Sequence, residues 1–198
     1  MALVFVGGSA PLLDHYLLPP KRVVPLLRTQ LETRISFTTR TVNGHAANEF
    51  SVTLPRCTPA QLRVSGVEVN GAAVTGGWIV RFRNASVHEC SLSGYASVRG
   101  INQWNGAVLT AAHTLNSYIG GSPSNKGIPT IDLKARGGVA SILIDFVSGN
   151  NIRACPYVTS LRVSVPHSTT VFTLKVRLQV CKHFQVHPFV FGLTGGNL

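Results

Sequence analysis

The chain has 198 residues, and its 18 Lys and Arg against 7 Asp and Glu give a formal charge of +11. This length predicts one domain, or at most two, and no stretch reaches the roughly 18 apolar residues that a membrane helix needs. So basic a chain favours a polyanionic partner over a small-molecule substrate. The seven Asp and Glu residues are spread along the chain, so few carboxylates are available for acid–base catalysis. No cofactor motif is present.

Residues 1–30 are apolar and rich in proline, and they precede a change to strand-like patterning. Proline fixes φ and removes a backbone donor, so this segment is predicted to be an extended N-terminal arm that packs on a neighbouring subunit. No basic region precedes the short apolar start, so no signal peptide is expected. Residues 31–198 are predicted to form the main domain.

Most of the chain after residue 31 alternates apolar and polar residues with the period of two that is typical of strands. The clearest pattern is 169–182, in which Phe172, Leu174, Val176, Leu178 and Val180 share one face. A change of phase at Ser65-Gly66 predicts a bulge. The predicted strands span 33–42, 48–54, two within 61–83, then 86–98, 129–134, 139–147, 158–165 and 169–181.

One segment, 106–119, has apolar residues at helical spacing. Asn105 could cap its start and Gly120 follows its end, so a short amphipathic helix is predicted. This segment contains "VLTAAHT" (108–114), which resembles the histidine motif of chymotrypsin-like serine proteases. The resemblance implies His113 as a general base.

The rest of a protease is missing from the sequence. The family's Gly-x-Ser-Gly-Gly loop has only a near miss, Gly192 to Gly196, with Thr194 in place of serine. About half of the chain precedes the histidine, although the motif comes early in the family. A degenerate chymotrypsin-like protease is therefore the third hypothesis. We expect His113 to be structural and the protein not to be an enzyme.

The four cysteines are widely spaced and form no CxxC pair, so they are predicted to be reduced and buried. Cys181, His183 and His187 have the same parity and could meet on one strand face as metal ligands. Pro188 follows directly and no fourth ligand is evident, so a polar strand face without metal is the preferred interpretation.

The order of elements resembles the single jelly roll of small viral coat proteins. The resemblance implies an all-β fold, namely a single eight-stranded antiparallel jelly roll with one short helix in the E–F connection and an extended N-terminal arm. It also implies a capsid subunit that self-assembles in many copies, encloses nucleic acid, with RNA favoured over DNA, and is found in virions assembled in the host cytoplasm. The alternative is a nucleic-acid-binding β-barrel that acts as a monomer or small oligomer.

Basic side chains are the candidate nucleic-acid contacts. In jelly rolls the first and last strands lie in one sheet, so Arg34 and Arg40 could form one patch with Lys175 and Arg177. Lys21, Arg22 and Arg28 in the arm are further candidates. The opposing interpretation is that these side chains face solvent and only aid solubility.

Overall fold

The computed structural model describes residues 34–42, 45–71, 74–119, 127–148 and 155–196, and for 34–52 it describes the backbone path alone. These residues belong to one compact unit, Glu32–Leu198. They form fourteen strands and one short 3-10 helix, Pro59–Gln61, so the predicted all-β class is confirmed. The strands are β1 Arg34–Val42, β2 His45–Thr53, β3 Leu62–Asn70, β4 Thr75–Asn84, β5 Cys90–Ser93, β6 Ser97–Ile101, β7 Ala107–Thr110, β8 Ala112–His113, β9 Thr130–Leu133, β10 Val139–Val147, β11 Tyr157–Ser164, β12 Phe172–Gln179, β13 Lys182–Val186 and β14 Val190–Phe191.

The larger sheet has the order β3-β4-β10-β13-β8, with β14 also paired to β10. Its strands are antiparallel except for β13 and β8, which run parallel. The central strand β10 is apolar on both faces apart from Ser141 and Asp145, and its seven inner residues are all buried. None of the helical residues described forms a segment long and apolar enough to cross a membrane.

A four-stranded antiparallel sheet has the order β12-β11-β6-β7. Two further antiparallel pairs, β1 with β2 and β5 with β9, complete the described strands.

The core lies between the larger sheet and the four-stranded sheet. Phe82 on β4 is fully buried, and its ring packs edge-on against Phe189 at 5.0 Å and Phe172 at 6.5 Å. Leu161 and Leu178 from the four-stranded sheet are buried in the same cluster. Burial of each such side chain contributes about 1.5–3 kcal/mol, so this shared core holds the two sheets together.

The predicted helix at 106–119 is wrong. The chain turns at Asn102–Gly106 and returns along β6 as β7, and Asn105 adopts a left-handed φ of 61° in the turn instead of capping a helix. The Asn105 N–H donates to the Asn102 carbonyl at 3.1 Å. Pairing with β6 satisfies the backbone of β7 and overrides the helical spacing of its apolar residues.

The predicted single strand at 169–182 ends earlier than expected. β12 stops at Gln179, and the chain passes from the four-stranded sheet to the larger sheet, where β13 begins at Lys182. At the crossing, Val180 N–H donates to the Pro156 carbonyl and Cys181 N–H to the Val147 carbonyl. The inward facing of Val176, Leu178 and Val180 is confirmed, whereas Phe172 and Leu174 are only half-buried.

The predicted strand 86–98 is also divided between sheets. Its residues contribute β5, which pairs with β9, and the start of β6, which pairs with β11. The predicted bulge at Ser65-Gly66 is wrong as well, because β3 pairs with β4 in continuous register. A Cβ at Gly66 would collide with the indole of Trp78, so the missing side chain makes room for that ring.

The prediction of reduced cysteines is wrong. Cys57 is bonded to Cys90, and Cys155 to Cys181. The first bond fixes the chain before β3 to the start of β5. The second ties the segment before β11 to the crossing between β12 and β13. Each bond joins residues that are far apart in sequence, so each limits the conformations of the unfolded chain.

Candidate functional site

The outer face of the four-stranded sheet is basic. Val98, Leu161, Val176 and Leu178 point into the core and Leu109 packs against it, while Arg99, Arg162, Lys175 and Arg177 are exposed on the other side. None of these four strands contains an Asp or a Glu. The face therefore carries positive charge with no acidic residue in its strands to balance it.

Two arginines lie directly opposite each other on this face. Arg99 on β6 pairs in register with Arg162 on β11. Thr110 and Thr173 continue the same row on β7 and β12. Directly opposed residues have Cβ atoms about 4.5–5.5 Å apart, and like charges in that position destabilise a sheet. An anion bound between them would remove the repulsion.

Lys175 and Arg177 extend the basic face on the neighbouring strand. Both are exposed on β12, and Lys175 is in register with Ser160 of β11. Their outward facing agrees with the sequence pattern. We call Arg99, Arg162, Lys175 and Arg177 the basic face.

The prediction that Arg34 and Arg40 lie in the same sheet as Lys175 and Arg177 of β12 is wrong. β1, which carries both arginines, pairs with β2 in a sheet of its own and not with β12. Their side chains lie outside the described part, as do Lys21, Arg22 and Arg28 altogether. Their part in nucleic-acid binding stays a prediction.

An aromatic cleft lies at one end of the basic face. Trp104, in the turn between β6 and β7, is 78% exposed, and Tyr157 at the start of β11 is 49% exposed. With Asn102 and Gln103, among others, they line a cleft of about 240 Å³. The Asn102 carboxamide oxygen accepts hydrogen bonds from the N–H groups of Trp104 (3.0 Å) and Gly106 (2.9 Å). These bonds order the turn, so the indole is presented to solvent from a defined position.

His113 is an exposed residue of β8, and its imidazole stacks on the Tyr95 ring with centroids 4.5 Å apart and planes at 4°. Asp145, one of the two carboxylates that follow His113 in the chain, is fully buried and has other partners. Its Oδ2 accepts hydrogen bonds from both the Ser117 hydroxyl at 2.8 Å and the Tyr118 N–H at 2.7 Å. His187 Nε2 lies 3.2 Å from the other oxygen. In this cluster the serine donates to the carboxylate and not to an imidazole, so it does not have the order of a catalytic triad.

The three candidate metal ligands do not come together. Cys181 is in a disulfide, His187 lies beside Asp145, and His183 Nδ1 is 3.0 Å from the Tyr118 hydroxyl. No cluster of three potential metal-ligating side chains is found among the residues that the structure describes.

Residues 57–190 match the model of a protein family described as a domain of unknown function (DUF4232). The chain belongs to this family. The DUF4232 match includes all four cysteines, the basic face and the aromatic cleft, and it leaves out β1 and β2. No curated protein and no solved structure matches the chain.

Sequence reasoning missed the central pair of this DUF4232 domain, Arg99 and Arg162. The alternation in "SLRVSV" (160–165), with Leu161 and Val163 inward, already places Arg162 on the outer face. What the pattern does not contain is the register that brings Arg99 opposite. Trp104 was missed because its surroundings were interpreted as the approach to a helix.

Proposed function

We propose that this protein is a non-catalytic binding domain that holds an extended polyanion on the outer face of its four-stranded sheet. The observation that carries the proposal is the direct opposition of Arg99 and Arg162 in a sheet whose strands contain no acid. Lys175 and Arg177 provide further cations on the next strand. Arginine forks match phosphate, sulfate and carboxylate groups, so a linear polymer of such groups fits the face.

The disulfides support function in an oxidising compartment. Such bonds form and persist outside the reducing cytosol. The predicted assembly in a host cytoplasm stays a prediction, and the two bonds favour a secreted or extracytoplasmic location instead. Acidic polysaccharides and released nucleic acids both present regularly spaced anions, and the same basic face suits either.

The aromatic cleft supports an ordered polymer over diffuse counter-ions. A flat indole next to cations is the arrangement with which proteins stack a base while neighbouring phosphates are neutralised. A sugar ring could use the same surface. Because Trp104 and Tyr157 lie at the end of the basic face, a polymer that follows the sheet can reach both.

The proposal is tested by binding of heparin and of a single-stranded oligonucleotide, with neutral dextran as the uncharged polymer. Arg99→Gln with Arg162→Gln should weaken binding of at least one polyanion. For the oligonucleotide, it should also reduce the salt slope by about 1.4, at ~0.7 per phosphate contact. The matched control is Arg63→Gln with Arg83→Gln, because these exposed arginines are also directly opposed, but on the larger sheet. Equal losses in the two double variants would show that net charge alone drives binding and would refute the face.

The coat-protein hypothesis is a second proposal, and a specific observation favours it. A β domain with one basic face could present that face to a packaged genome. In this hypothesis the two packed sheets belong to a single jelly roll, and residues 1–30 are the arm. A sizing column tests it, because a shell elutes in the void volume, whereas the binding domain proposed above elutes as a monomer or small oligomer.

A further inference from the structure

A second cavity of about 470 Å³ lies at the opposite end of β6 and β7 from the aromatic cleft. Tyr95 comes just before β6, and His113 just after β7. Arg56 and His167 come from two other segments and line the same cavity. Its volume is within the range of about 300–1,000 Å³ that small-molecule sites have.

The wall that carries Arg56 is fixed by the backbone. The N–H of Cys57 donates to the Ser91 carbonyl, and the N–H of Ser91 donates to the Pro55 carbonyl, each at 2.9 Å. The disulfide from Cys57 to Cys90 locks the same two segments together. The backbone of Arg56 is therefore held beside β5, and only its side chain needs to be ordered on binding.

His167 reaches the cavity from a turn with an unusual backbone. Its φ is 61°, in the left-handed region that a residue with a Cβ seldom adopts. The turn is closed by a hydrogen bond from Ser168 N–H to the Val165 carbonyl at 3.3 Å. The left-handed backbone in this closed turn fixes the direction in which the histidine side chain leaves the chain.

The described residues that line the cavity include Arg56, His113 and His167, and no Asp or Glu. The two serine hydroxyls already donate elsewhere, Ser91 to the Leu54 carbonyl at 3.2 Å and Ser93 to the Pro129 carbonyl at 3.1 Å. The side-chain donors left to face a ligand are thus a guanidinium, two imidazoles and the hydroxyls of Tyr95 and Thr130. Such a set recognises an anion.

We infer that this cavity binds a small organic anion, with its phosphate or carboxylate group on Arg56 and His167 and its apolar part against the Tyr95–His113 stack. The two rings are stacked with their planes parallel to within 4°, so the outer face of the stack is a flat surface for an apolar group. The cavity is larger than an inorganic phosphate needs, so room remains for a ring. This site is separate from the basic face and does not depend on the polyanion proposal.

The probes are phenyl phosphate and benzoate, with benzyl alcohol as the neutral analogue, each titrated by NMR against the folded full chain. Histidine ring signals report on the site directly. We expect saturable shifts of the His113 and His167 signals with at least one of the two anions and none with benzyl alcohol. Shifts with only one of them identify the preferred group. No saturable shift with either anion would overturn the inference.

The variant is Arg56→Gln with His167→Asn, because asparagine tolerates the left-handed backbone and keeps the turn. The control is Arg63→Gln with His88→Asn, which changes the same residue types at exposed positions outside both the cavity and the basic face. The first variant should lose at least tenfold in affinity for the anion, and the control should bind as wild type. Equal loss in both would refute the site. Heparin and oligonucleotide binding should survive in the cavity variant, so failure of this inference and failure of the basic face are distinguishable.

Discussion

Arg99 and Arg162 lie directly opposite each other on neighbouring strands, with threonines at both ends of their row. In an unliganded sheet this arrangement costs free energy, because two like charges share one cross-strand position. The strands of this sheet supply no carboxylate to offset it. An anion held between the two guanidinium groups, as the proposed function requires, would offset this cost.

The first prediction is that replacing one arginine of this pair stabilises the fold. Arg99→Thr should raise the free energy of unfolding at low salt, by a few tenths to about 1 kcal/mol, because the repulsion from Arg162 is removed. The gain should nearly vanish at 1 M salt, where the Debye length is about 3 Å. The measurement is urea unfolding at both salt concentrations.

The control for that experiment is Arg177→Thr. Arg177 lies beside a register shift on β12, where the flanking paired residues of β11, Val158 and Ser160, are uncharged. It should show no comparable salt-dependent gain. A gain of the same size at Arg177 would mean that net charge, and not the opposed pair, sets the effect.

The second prediction concerns the disulfide between Cys57 and Cys90, which are 33 residues apart in sequence. Replacing both by Ala should lower the free energy of unfolding by about 3–4 kcal/mol, because the unfolded chain regains the conformations that this loop excludes. Thermal unfolding of wild type and variant, each with and without reductant, measures the effect. If reductant left the wild-type midpoint unchanged, the bond would not be stabilising the fold.

Strand positions could be predicted because alternation is a local signal. Val139–Val147 was predicted to be a strand over the same residues, and its apolar faces indicated a central position. The outward facing of Lys175 and Arg177 followed from the same period of two. These features depend on neighbours in sequence and not on which strand lies alongside.

The features that sequence reasoning missed depend on distant pairing. Spacing alone did not show that Cys57 and Cys90 come within 4.8 Å between Cα atoms. The turn at Asn105 and the return of β7 along β6 require the partner strand, and the spacing of Val108 and Ala111 fits a helix equally well. The candidate site was missed for the same reason, since Arg99 and Arg162 meet only through register.

The third prediction concerns Asp145, which is fully buried with Ser117, Tyr118 and His187 around its carboxylate. Asp145→Ala should cost about 3–5 kcal/mol of stability, because it leaves the Ser117 hydroxyl and the Tyr118 N–H without their acceptor and removes the carboxylate 3.2 Å from His187 Nε2. Chemical denaturation measures the loss. Asp132→Ala is the control, since that carboxylate is exposed on β9 and its removal should change stability little. Similar small losses in both variants would contradict a structural role for the buried cluster.

The fourth prediction concerns Trp104, whose indole is held 78% exposed at the end of the basic face. If a polymer that follows the face stacks on this ring, its binding should change tryptophan emission, and Trp104→Ala should weaken oligonucleotide binding by about 1–3 kcal/mol. Trp78 is half-buried beneath Gly66, so its fluorescence should not respond to binding.

The matched control is Phe191→Ala, because Phe191 is a similarly exposed aromatic residue, 73% exposed, on β14 of the other sheet. Fluorescence titration of the three proteins decides the matter. An unchanged affinity in Trp104→Ala would mean that the polymer contacts the arginines without reaching the cleft, whereas equal losses at Trp104 and Phe191 would mean that exposed aromatics bind it without regard to position.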